Sequence, residues 1–144
     1  MKLTTKTRYS LKILTQLALD FNKKPIKGKD IANEHKMSEA YLEQIMITLK
    51  SAGLIKTERG CNGGYILAKH PSSITALQII ELFEGKIEFS ECRGKKRECS
   101  LLGKCATTNV WTKLSSALKN EAAKITIESI IDDYIFFNTQ EYII

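Results

Sequence analysis

Three cysteines, Cys92, Cys99 and Cys105, are separated by six and then five residues. Thiolates are soft ligands, and three that converge on one point suit iron-sulfur or zinc chemistry. Structural zinc typically uses cysteine pairs about two to four residues apart, and this segment holds no such pair. From Glu91 to Cys105 the chain carries Arg93, Lys95, Lys96, Arg97 and Lys104 against only Glu91 and Glu98. Cations near sulfur lower thiol pKa values and offset the charge of an anionic cluster, although a solvated loop surface would use the same lysines. A fourth cysteine, Cys61, reads as a small exposed residue, with a redox-reactive thiol as the alternative. His35 and His70 read as ordinary surface or turn residues. No nucleophile-base pair, nucleotide-binding loop or paired acids appear, so an enzyme is not expected.

The elements around the cysteines follow from periodicity. Residues 86 to 104 are polar, charged and aperiodic, and a loop of that length in a compact domain usually serves a function. From Cys105 the pattern turns helical, with Val110, Trp111, Leu114, Ala117, Leu118, Ala122 and Ile125 on one stripe. A stripe sustained over several turns packs against a partner helix; packing within one subunit is the alternative. So small a domain has little else to cover the stripe, which makes a homodimer built here and on the first helix the expectation. Thr126 caps a last short helix, Ile127 to Asp133, and the tail Tyr134 to Ile144 is apolar without a motif.

Upstream, Ser10, Ile13, Leu14, Leu17, Ala18 and Phe21 make one face of an amphipathic helix over Thr7 to Phe21. A brief second helix, Lys29 to Glu34, ends in the turn His35-Lys36-Met37. Ser38 is placed to cap a third helix that buries Leu42, Ile45, Met46 and Leu49 and ends at Gly53. Its other side carries Glu39, Glu43, Gln44 and Lys50. Two helices joined by a tight turn form either a helix-turn-helix or an ordinary helical hairpin. The next stretch decides between them: two short strands, Leu54 to Glu58 and Tyr65 to Ala68, flank Arg59-Gly60-Cys61-Asn62-Gly63-Gly64. That is a hairpin, and a hairpin directly after a helix-turn-helix is a wing. Gly60, Gly63 and Gly64 are read as supplying positive backbone torsions and close approach to another molecule, with Arg59 as the cation at the tip. Thr75 caps a fourth helix through Leu77, Ile80 and Leu82 towards Gly85.

With 144 residues, 43% of them hydrophobic and 26% charged, the chain fits one globular domain with a real core. The net charge of +6 is unevenly spread. Residues 1 to 70 hold thirteen Lys and Arg against six Asp and Glu, whereas residues 71 to 144 hold nine against ten. A basic half joined to a near-neutral half is the profile of a polyanion-binding module attached to a dimerising or sensing one. No run approaches the roughly 18 apolar residues of a membrane span, and Met1 to Arg8 lacks the apolar stretch of a secretory signal. A cytoplasmic protein is expected, with its thiols reduced and no disulfide framework.

Taken in order, several segments resemble the Rrf2 family of bacterial winged-helix regulators. They are Leu3 to Tyr9, Tyr41-Leu42-Glu43-Gln44-Ile45, Ala52-Gly53-Leu54-Ile55, Arg59-Gly60, Gly63 to Ala68, Ile74-Thr75, and then Cys92, Cys99 and Cys105. The resemblance implies a mainly α fold with a β-hairpin wing. Residues 1–85 would form the winged helix-turn-helix, 86–106 the cysteine-bearing sensor loop, and 107–144 the dimerisation helix and tail. It further implies a homodimer on a pseudo-palindromic double-stranded DNA operator, with half-sites roughly 34 Å or a multiple apart. On the matching positions, Ser38, Ala40, Tyr41, Glu43 and Gln44 face the DNA. Gln44 is suited to paired hydrogen bonds with adenine and Glu43 to accepting from cytosine. Arg59 would read the minor groove, while Lys2, Thr4 and Lys56 would neutralise phosphates.

For the cysteines, the resemblance implies an iron-sulfur cluster, 2Fe-2S favoured over 4Fe-4S, on Cys92, Cys99 and Cys105. The fourth ligand departs from the family patterns. Some cluster-binding members place a histidine three residues after the third cysteine, where this chain has Thr108. Others use an aspartate just before the first-helix tyrosine, where it has Arg8, which cannot ligate. Asn109, Glu91, Glu98, His35, Cys61 and an external small ligand remain candidates. The function expected is a repressor whose operator affinity is controlled by the cluster. The alternatives are a cluster-free regulator sensing through thiols or a protein partner, and an iron-sulfur carrier protein.

Overall fold

The computed structural model describes residues 2–90 and 104–140. Among these residues, six α-helices and one hairpin follow in the order α1 Thr5–Leu19, α2 Gly28–Glu34, α3 Glu39–Ser51, β1 Ile55–Glu58, β2 Gly64–Leu67, a 3-10 turn Pro71–Ser73, α4 Ala76–Glu84, α5 Thr107–Lys124 and α6 Ile127–Gln140.

Local chemistry sets the helix ends. Thr4 caps α1 by accepting from the Thr7 amide, and Ser38 caps α3 by accepting from the Tyr41 amide at 3.1 Å. Thr75 and Gln78 form a reciprocal capping box at α4, and Thr126 Oγ1 accepts from the Ser129 amide at 3.1 Å at the start of α6. Gly53, at φ +70°, stops α3 as the sequence predicts.

The core assembles around α1, which packs against α3, α4, α6 and β2. Ile13 and Leu14 of α1 are fully buried together with Ile31, Ile45, Leu49, Ile55, Ile74, Ile79 and Ile127. Ser10 is buried without penalty because its hydroxyl donates to the Lys6 carbonyl at 2.7 Å. The four α3 residues expected inside, Leu42, Ile45, Met46 and Leu49, are all buried. Strands β1 and β2 pair antiparallel with Ile55 opposite Leu67 and Glu58 opposite Gly64. A bridge between Ile26 and Tyr65 ties the hairpin to the segment before α2.

Several element ends differ from the sequence reading by one or two residues, α1 ending at Leu19 rather than Phe21 and β2 running Gly64–Leu67 rather than Tyr65 to Ala68 among them. α1 begins two residues earlier than expected, at Thr5, because Thr4 supplies the cap. α6 runs to Gln140 rather than stopping at Asp133; Tyr134 to Phe137, taken for tail, continue the helix because no glycine or proline follows Asp133 to break it. Gly63 and Gly64 do not have positive φ; among the described wing glycines only Gly60 does, at +111°. A Cβ on Gly63 would sit 2.3 Å from the Glu58 carbonyl oxygen, and one on Gly64 would sit 2.4 Å from that of Ile26. Both glycines therefore serve close approach within this chain.

Candidate nucleic-acid interface and cysteine segment

With its apolar face on the core, α3 turns Glu39, Ala40, Glu43, Gln44, Ile47 and Lys50 to solvent. Ala40, Glu43, Gln44 and Ile47 fall at helical spacings of three and four, which places them on one outer face. Ser38 is exposed, with its oxygen engaged in the cap. Tyr41 is only half exposed, because its ring meets Tyr9 of α1 edge to face at 6.4 Å. That contact sets the N-terminal halves of α1 and α3 side by side, and Lys12 Nζ lies 5.6 Å from the Tyr9 ring centre as a further brace.

The hairpin is joined to α3 at its root. The Leu54 amide donates to the Leu49 carbonyl at 3.1 Å, and Lys50 Nζ donates to Thr57 Oγ1 at 3.1 Å. Lys56 and Arg59 are exposed on β1 and at the tip. Among the described residues the ion pairs are Lys23–Asp20 and Lys124–Glu121, so no carboxylate neutralises a cation of α3 or the wing. Lys2 and Thr4 are exposed too but sit elsewhere, beside the end of α4, where Lys2 and Leu3 line a groove of about 200 Å³ with Glu84 to Phe89. Thr4 gives its hydroxyl proton to Glu84 Oε1 at 2.7 Å.

Two residues here escape a reading by charge and motif. Ile47 is 59% exposed in the middle of α3's outer face, an apolar group of the kind that meets a thymine methyl. Its signal was the spacing from Ala40 and Gln44. Glu84 had no sequence signal, since its partners lie almost the whole domain away.

Of the three loop cysteines, Cys92 and Cys99 lie outside the described residues. Cys105 stands just before α5, half exposed, with Sγ 3.0 Å from Thr107 Oγ1. Hydrogen bonds from the Thr107 side chain and amide, then from Thr108, hold its thiol below the usual cysteine range. Among the described residues no group of three His, Cys, Asp or Glu is assembled for a metal. Of the fourth-ligand candidates, Glu91 and Glu98 are also outside the described residues, Asn109 is exposed in the first turn of α5, and Cys61 is exposed at the wing tip. His35 instead meets Gln16 of α1, with Nε2 to Oε1 at 2.9 Å, and His70 caps the 3-10 turn by accepting from the Ser72 amide at 3.2 Å. No helix among the described residues is long and apolar enough to cross a membrane.

A helix-turn-helix with a solvent-facing second helix, followed at once by a basic hairpin, is a nucleic-acid-binding arrangement. Residues 3–133 match the model of the Rrf2 family, described as an iron-dependent transcriptional regulator. This chain belongs to the Rrf2 family. It is 36% identical over 130 residues to the HTH-type transcriptional regulator CymR of Bacillus subtilis, covering 90% of this chain and 89% of that one. To the regulator IscR of Escherichia coli O1:K1 it is 32% identical over 133 residues, covering 92% and 82%. The solved structure of B. subtilis CymR, the global cysteine regulator of that bacterium, aligns with a TM-score of 0.75 at 34% identity over 92% of this chain and 97% of that one. The Rrf2 member described here is therefore a DNA-binding transcription regulator and not an enzyme, and its fold is the winged helix-turn-helix with C-terminal helices.

Proposed function

We propose that this Rrf2 regulator is a homodimeric repressor, with residues 1–85 binding operator DNA, 86–106 sensing through an iron-sulfur cluster on Cys92, Cys99 and Cys105, and 107–144 dimerising. The observation that carries the reading is the position of Cys105: its thiol, with Thr107 Oγ1 3.0 Å from Sγ, stands at the start of α5, the helix whose apolar stripe is exposed. Thiolate is the form that ligates iron, so the one described member of the donor set fits the role. A bound cluster supplies a centre whose redox and ligand state can change. The chain's own part is to carry a change in the 86–106 segment along α5 to the spacing of the two recognition helices.

On the operator, Ser38, Ala40, Tyr41, Glu43 and Gln44 meet the major groove, Arg59 the minor groove, and Lys2 and Lys56 the phosphates, while Thr4, whose amide and hydroxyl both donate to Glu84, holds its place beside Lys2. Anaerobic purification followed by absorption spectroscopy and iron and sulfide counts tests the sensor. Brown protein with stoichiometric iron and sulfide, lost in Cys105→Ser, is expected; colourless, iron-free protein with free loop thiols would end the cluster reading and leave the regulator. Arg59→Ala is expected to weaken operator binding about tenfold at fixed salt, and unchanged affinity would sink the minor-groove role.

A further inference from the structure

Glu84 is the last residue of α4, and its Oε1 gathers three donors from the start of α1. The Thr4 amide donates at 2.8 Å, the Thr4 hydroxyl at 2.7 Å, and the hydroxyl of buried Thr7 completes the set. Thr4 Oγ1 in turn accepts from the Thr7 amide, so the clasp and the N-cap are one unit. Hydrogen bonds to an ionised acceptor are roughly twice as strong as neutral ones, and a carboxylate at a helix N-terminus also meets the positive end of the helix dipole. Those bonds, from Thr7 first and then Thr4, hold the Glu84 carboxyl below the usual glutamate range. After Glu84 the chain turns at Gly85, φ +83°, and buries Ile87, so the far side of the clasp is anchored as well.

What makes the arrangement informative is its sign. An exposed carboxylate bonded to Thr4, two residues after Lys2, repels a phosphate, and simple charge counting would make it a defect in a DNA-binding surface. Its geometry offers a compensating role, because Lys2 and Leu3 precede the clasp with no secondary structure of their own. A stretch without helix or sheet bonds of its own takes its order from what it is tied to.

We propose that Glu84 is a positioning residue for DNA binding: by clasping Thr4 and Thr7 it fixes the N-terminal segment so that Lys2 is held ready for the phosphate backbone. This rests on the phosphate role given above to Lys2. The ordering entropy is then met on folding rather than on binding.

The test uses the full chain and a duplex selected from a random-sequence pool by the wild type. Affinity is measured against salt concentration for Glu84→Ala, Glu84→Gln, Lys2→Ala, the Glu84→Ala/Lys2→Ala double variant, and Glu88→Ala as an exposed acid nearby. Charge alone predicts that removing either glutamate tightens binding. The clasp predicts the reverse for Glu84: Glu84→Ala weakens binding about tenfold and lowers the salt slope by about 1, as Lys2→Ala does. The double variant should be no weaker than Lys2→Ala, and Glu84→Gln, which keeps an acceptor oxygen, should fall between Glu84→Ala and the wild type. If Glu84→Ala does not fold, Glu84→Gln decides by the same sign. Wild-type or tighter binding by the Glu84 variants, or additive losses in the double variant, overturns the positioning role. If the wild type selects no sequence, the DNA-contact reading itself has failed; loss of Thr4 amide protection from hydrogen exchange in Glu84→Ala reports the clasp independently of DNA.

Discussion

His35 ends α2 with its ring partly covered and its Nε2 set to donate to Gln16 Oε1 at 2.9 Å. Burial lowers its pKa from the ordinary 6.5, with Glu34 opposing and Lys12 adding to the shift. A histidine whose folded pKa is depressed contributes stability that is present above the unfolded pKa and lost as pH falls towards the folded one, because the unfolded chain then binds the extra proton. Stability to urea is therefore expected to fall below about pH 6.5 in the wild type. His35→Gln removes the titrating group, so the stability difference between wild type and variant should shrink as the pH is lowered. A difference independent of pH would show that His35 titrates alike in both states.

At the scale of elements, the wing is positioned from two sides, by α3 at its root and by Ile26 along β2. The Tyr65 amide donates to the Ile26 carbonyl at 2.8 Å, and the Ile26 amide returns a bond at 3.0 Å. Gly64 stands where this second contact is tightest, its neighbours being backbone atoms that cannot rotate away. Gly64→Ala should thus push β2 off Ile26 and cost about 1–3 kcal/mol, read as a lower urea midpoint. It should also weaken operator binding through Arg59 and Lys56, which move with the hairpin. Gly60→Ala probes something else: a Cβ there meets nothing within 4 Å, and the cost comes from φ +111° alone.

For the whole molecule, the largest unexplained feature is apolar surface. Val110, Trp111 and Leu114 on α5 are 48%, 38% and 46% exposed, and Tyr134 to Phe137 on α6 are at least half exposed. Of the expected stripe on α5, only Ala122 is buried within the subunit. Exposed apolar patches of this kind mark interaction surfaces, which supports the homodimer proposed on α5. Leu114→Glu should give a monomer by sedimentation at micromolar concentration with the secondary structure intact. Losing the second half-site should weaken operator binding by on the order of a hundredfold. A dimer unchanged by Leu114→Glu would move the interface away from this stripe.

The amphipathic pattern of α1 and α3, the caps Ser38, Thr75 and Thr126, the C-terminal glycine of α3 and the glycine-flanked hairpin were legible in the chain. Each rests on interactions within a few residues, where residue type and spacing determine the conformation. The charge division between the halves and the order of the family motifs were legible for the same reason. Tertiary structure alone decided that Gly63 and Gly64 face this chain's own backbone, that Tyr41 rests against Tyr9, and that α6 continues through its aromatic end. It also decided that Glu84 reaches Thr4 and Thr7 across about eighty residues of sequence. Contacts of that separation depend on how the helices pack, and packing is set by the combined shape of the core rather than by any local pattern. The cysteines divide along the same line: their number and spacing name a chemistry, and among the described residues Cys105 shows the thiolate-favouring surroundings that spacing cannot supply.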